Sequence, residues 1–180
     1  MVQIIEELMT MRKATRVVAA ALGIFAGIGG PEHGYFEILR GNTRPESLMI
    51  EAMGPPCDPE TVWHLCEPAL TVIPNFLVTG ILAVILGLIT MAWTAFFIHR
   101  KRGGLVLILL SIALLLTGGG IFPPVIGIIA GVIASSINKP VTRQPTTLSG
   151  LLARFWPWSL VVFYVWVFGQ FVIGYLANDF

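Results

Sequence analysis

The chain has 180 residues, 56% of them hydrophobic and 12% charged, with a mean hydropathy of +0.83, against a charge content of roughly 25% in ordinary soluble domains. So much apolar surface cannot be hidden in a soluble core of this size, which excludes a conventional water-soluble domain. The net charge of +1 is the remainder of 11 bases and 10 acids that lie outside the long apolar runs, and no basic patch offers a footing to nucleic acid.

The first apolar segment covers about 14–30 and is preceded by Arg12, Lys13 and Arg16. A basic start, an apolar run and trailing small residues resemble a signal peptide; a retained signal anchor is expected and gives the same topology. Ala19, Gly23 and Gly27 recur every four residues, a stripe along which helix backbones can approach closely.

A loop from 31 to 68 follows. It opens on PEHGYFEILR, read as a short separate helix at the membrane surface, where His33 and Glu37 share a face at i, i+4. Two readings stand side by side: a proton acceptor or pair of metal ligands, and a local hydrogen bond with acids that stabilise the helix N-terminus. Cys57 and Cys66 are the only cysteines. A structural disulfide closing a loop of about ten residues is expected, worth roughly 2 to 3 kcal/mol. Thiol-redox chemistry lacks the C-x-x-C spacing, and a metal site from His33, Glu37, Cys57, His64 and Cys66 has no recognised spacing.

The second segment, about 70–98, is longer than one crossing needs, and Pro74 suggests that it begins in the interface. Thr71, Asn75 and Thr79 make a short polar stripe there, either lining a solute pathway or satisfying one another. Thr90, Thr94, Ser111 and Gln170 are scattered and trace no continuous polar face.

From Gly103 to Ile137 the chain is apolar throughout and would be about 50 Å long as one helix, so it must turn. Gly118-Gly119-Gly120 and Pro123-Pro124 mark the turn, which predicts spans at about 104–118 and 121–137, as a full hairpin or a re-entrant pair. Gly127, Gly131 and Ser135 form a second small-residue stripe. The last segment, 155–177, starts with Trp156 and Trp158 and carries Tyr175 near its end, as interfacial anchors do.

Charge orients these segments. Nine bases (the three already named, Arg100, Lys101, Arg102, Lys139, Arg143 and Arg154) stand with Glu6 and Glu7 on one side if there are five crossings. Eight acids (Glu32, Glu37, Glu46, Glu51, Asp58, Glu60, Glu67 and Asp179) stand with only Arg40 and Arg44 on the other. The expected fold is therefore all-α: a single five-span helical bundle in the inner (plasma) membrane, N-terminus inside, C-terminus and loop 31–68 extracytoplasmic.

GGPEHGYFEILRGN after the first span, GGLVLILLSIALLL-TGGG-IFPP in the hairpin and WPWSL opening the last span resemble an uncharacterised group of small prokaryotic multi-pass membrane proteins. That resemblance implies the architecture and carries no activity or site residue with it. No G-x-S-x-G, P-loop, H-E-x-x-H or dinucleotide fingerprint is present, so an enzyme is not expected. Three functions remain: an assembly-type component, as a homo-oligomer or within a larger membrane complex; a small channel or carrier for a neutral or weakly polar solute; and an outer-surface metal-binding or thiol-redox protein. No cofactor is predicted beyond contacts with membrane lipid.

Overall fold

The computed structural model describes residues 2–51, 67–139 and 147–177. Among them are five helices and a two-stranded ribbon: α1 (Val2–Leu39), β1 (Met49–Glu51), β2 (Pro68–Leu70), α2 (Phe76–Phe97), α3 (Gly103–Leu116), α4 (Phe122–Ala134) and α5 (Thr147–Ala177). Among the described residues, two stretches are long and apolar enough to cross a membrane, Arg12–Leu39 within α1 and the whole of α2. At about 1.5 Å per residue, α2 reaches roughly 33 Å, while α3 and α4 reach only about 20 Å each.

The largest departure from expectation is at 31–40. In place of a separate surface helix, α1 continues without a break through Pro31. A proline inside a helix removes the bond to the carbonyl four residues back, here that of Gly27. That carbonyl faces α2 at a point where the partner is also glycine: a Cβ on Gly87 would lie 2.6 Å from it. The second segment begins later than expected, because 68–70 pairs as a strand with 49–51 (Met49 with Leu70, Ile50 with Ala69, Glu51 with Pro68). Pro74 therefore lies ahead of α2, and Asn75 caps it by accepting a hydrogen bond from Val78 N at 3.1 Å. The last helix starts earlier than expected, at Thr147, and includes Pro157.

Helices α1 to α4 meet through backbone rather than side chains. A Cβ on Gly34 would come within 2.6 Å of the Gly80 carbonyl oxygen, and one on Gly80 within 2.6 Å of that of Gly34. Gly23 faces Thr94, and Gly27 faces Met91 and Gly87. On the other side of α1, Gly29 abuts Pro123 and Ala26 abuts Gly127 of α4. Gly131 packs on Ile108 and Gly104 of α3, and Ser135, just past the end of α4, also reaches Gly104. Ala19, Ile98, Leu107, Ala130, Ala134 and Ile137 form one buried cluster toward the end where α2 finishes and α3 begins.

The turn between α3 and α4 sits at the opposite end. There Gly118 N donates to Leu70 O at 2.9 Å, Val72 N donates to Leu116 O at 3.0 Å, and Thr71 and Thr117 form an isolated bridge. The ribbon is thus stitched to the hairpin, level with the first turn of α2 and the last turns of α1. By contrast α5 is held to α1 by the Tyr164 hydroxyl, which donates to Ala21 O at 2.7 Å, and by an edge-on contact of Phe163 with Phe25.

Candidate site beneath the glycine turn

Two successive turns near the end of α1 carry His33 and Glu37 on one face, and that face is covered by the α3–α4 turn. Gly118 and Gly120 adopt φ of 84° and 80°, a left-handed conformation that a residue with a Cβ rarely takes. Their missing Cβ atoms leave the space that the two side chains fill. One on Gly118 would fall 2.6 Å from Glu37 Oε2, and one on Gly120 would fall 2.8 Å from His33 Cδ2. The turn bends as it does so that bare backbone can lie against an imidazole and a carboxyl.

Both side chains are completely buried, and neither ring nitrogen of His33 nor either carboxyl oxygen of Glu37 has a hydrogen-bond partner among the described residues. Such orphaned polar groups are uncommon in folded proteins, and each is costly unless something answers it. Glu67 Oε2 lies 3.6 Å from His33 Nε2, too far for a hydrogen bond. Glu67 is 39% exposed, so it forms the solvent edge of the site. Arg40, one turn past Phe36, stacks its guanidinium 4.7 Å above the Phe76 ring and donates to the Glu51 carbonyl, which ties α1 to β1 and α2.

The expected hydrogen bond between His33 and Glu37 is therefore absent, as is the solvent-facing position that a surface helix would have given them. The helix runs on into the bundle, and the side chains point under the glycines. The polar stripe Thr71, Asn75 and Thr79 is brought to the same end and satisfied there. Thr71 and Thr79 share a hydroxyl–hydroxyl bond of 2.6 Å, Thr79 donates to Thr117 O at 2.9 Å, and Asn75, besides capping α2, donates to Asn42 Oδ1. Both threonines are buried. Of the scattered polar residues, Thr90 and Thr94 bond back to Leu86 O and Thr90 O, whereas Ser111 Oγ, pressed on Gly127, has no partner among the described residues.

Cys57, His64 and Cys66 lie outside the described residues, so the expected disulfide and the cysteine arm of a metal site fall there too. Among the described residues no three His, Cys, Asp or Glu side chains converge on a single point. Sequence reasoning paired His33 with Glu37 but missed the glycine turn as their wall and Glu67 as their edge. The available signal was a run of three glycines where a two-residue turn would have sufficed. Comparison with protein-family models, curated proteins and solved structures finds no match for this chain.

Proposed function

We propose that this is a five-crossing integral membrane protein of the prokaryotic inner membrane, without catalytic machinery, that binds a small divalent cation at its ribbon end. Its N-terminus is cytoplasmic, and the ribbon and glycine turn face outward. The topology is supported by the separation of charge, with Glu32, Glu37, Glu46, Glu51 and Glu67 toward the ribbon end and the clustered bases toward the other. It is supported also by the position of the hairpin, which begins beside Trp93 near the end of α2 and reaches its turn beside Thr79 in the first turn of α2.

The observation that carries the cation reading is the set of four buried, unpartnered polar atoms on His33 and Glu37 beside the Glu67 carboxylate. Imidazole and carboxylate together suit first-row divalent ions such as Zn²⁺ or Mn²⁺. Two donors bound to one tetrahedral ion at roughly 2.0 to 2.1 Å stand about 3.3 Å apart, close to the 3.6 Å between His33 Nε2 and Glu67 Oε2. Glu37, one turn along on the same face of α1, is the candidate for a third donor. Titration of the full chain in detergent with Zn²⁺ and Mn²⁺, read by calorimetry and native mass spectrometry, should give one ion per chain. Affinity should fall by at least about tenfold in His33→Ala and in Glu37→Gln. It should weaken as the pH is lowered, because protons compete for the same imidazole and carboxylate lone pairs. Absence of binding, or His33→Ala binding as tightly as the parent, overturns the reading. Loss of the ion in Cys57→Ser/Cys66→Ser with retention in His33→Ala moves the site to the cysteines.

A second reading, assembly through α5, rests on a separate observation. Trp166 is 57% exposed near the middle of 155–177, with Val162, Val165 and Phe168 exposed around it. Tryptophan favours the membrane interface over its middle, so an outward mid-span Trp fits a helix of a second copy or of a larger partner.

A further inference from the structure

The end opposite the ribbon gathers bases from three separate parts of the chain. The cluster of Ala19, Ile98, Leu107, Ala134 and Ile137 shows how. Arg16 is one turn before Ala19, Arg100, Lys101 and Arg102 follow Ile98 after His99, and Lys139 stands two residues past Ile137. Asn138 fastens the end of α4 to the base-bearing turn, its Nδ2 donating to His99 O at 3.1 Å and Arg100 O at 3.3 Å. With Arg12 and Lys13 this makes seven bases, all exposed. The acids nearest that end along the chain are Glu6 and Glu7 of α1, two against seven bases, whereas Glu32, Glu37, Glu46, Glu51 and Glu67 belong to the ribbon end. Immediately beyond the bases, toward the middle of the bundle, the surface turns apolar: Phe96 is 68% exposed and Leu105 49%, while Arg100 lies 5.8 Å from the centre of the Phe97 ring.

We propose that this rim is a binding site for the headgroup of an anionic phospholipid, with the acyl chains lying along Phe96, Phe97 and Leu105. The inference rests on the membrane reading above and is independent of the cation site. An excess of like charges held on one rim is self-repelling, and an anionic headgroup reduces that repulsion while its chains cover an adjoining apolar face. Attraction to an anionic leaflet is additive over bases near the surface and corresponds to about fivefold in affinity for each. Exposed guanidinium groups can in addition hold a phosphate in bidentate geometry.

The test uses the full chain in nanodiscs of phosphatidylcholine with and without one-fifth phosphatidylglycerol, released in the mass spectrometer with bound lipid counted. Phosphatidylglycerol should be retained several-fold over its share of the bilayer, and the preference should shrink with rising salt. Arg100→Gln/Lys101→Gln/Arg102→Gln should lower that preference by at least about fivefold. Arg44→Gln, at the other end, should leave it unchanged, and matching circular dichroism would show that both variants fold. Equal retention of the two lipids, a triple variant indistinguishable from the parent, or bound inorganic phosphate in place of lipid overturns the proposal. Failure of the chain to enter nanodiscs of either composition overturns the membrane reading, and the proposal with it.

Discussion

At Gly118 a single missing methyl group decides whether the site exists. An alanine there must both hold φ near 84° and put its Cβ into the Glu37 carboxyl. The backbone part alone costs about 1 to 2 kcal/mol. Gly41 separates the two effects, since it has φ of 69° and no atom within 4 Å of where its Cβ would stand. Gly41→Ala should therefore lose about 1 kcal/mol, and Gly118→Ala distinctly more, about 3 kcal/mol once the displaced carboxyl is included. Chemical denaturation in mild detergent measures both, and equal losses would mean that Glu37 is not pressed against the turn. This scale was the least legible in the sequence. The spacing of His33 and Glu37 is local and was read, but their burial depends on glycines some eighty positions away, and periodicity holds no information about that contact.

The helices pack by a rule that was half visible. Ala19, Gly23 and Gly27 were read as a stripe, and the structure sets Gly23 and Gly27 against α2. The stripe goes on through Gly30 and Gly34, matched on α2 by Gly80, Ala83, Gly87, Thr90 and Thr94, all buried. Every spacing on both helices is three or four, which keeps the small residues on one face as close backbone packing requires. The continuation is not visible in the apolar run, which stops at Gly30 ahead of the polar PEHGYFEILR stretch, although proline can persist inside a helix where close packing compensates the lost bond. A large residue on this seam has nowhere to go. Gly87→Leu, whose side chain would meet Pro31, Gly27 and Gly30, should destabilise by about 3 kcal/mol or more, or prevent folding. Gly169→Leu on α5, where nothing lies within 4 Å, should melt within about 0.5 kcal/mol of the parent. Thermal unfolding of the two variants side by side checks this. If Gly169→Leu instead changes the native mass from an oligomer to a monomer at unchanged melting temperature, α5 is the assembly face.

Taken whole, the molecule has two chemically different ends joined by a glycine-seamed bundle. Apolar length and the sorting of charge, both readable from composition along the chain, carry the helical class and the opposition of the ends. The ribbon was not readable, because three-residue strands are too short to show alternation and pair across fifteen or more intervening residues. Five crossings require α3 and α4 to bring their glycine turn to the outer surface beside the ends of α1 and α2. The direct test is single-cysteine labelling in intact cells, in a Cys57→Ser/Cys66→Ser background, with a membrane-impermeant maleimide. Asn42→Cys and Ile121→Cys should label from outside, and Lys101→Cys only after the cells are opened. If Ile121→Cys labels only in opened cells, or Lys101→Cys labels in intact ones, the hairpin does not reach the outer face and the five-crossing account is wrong.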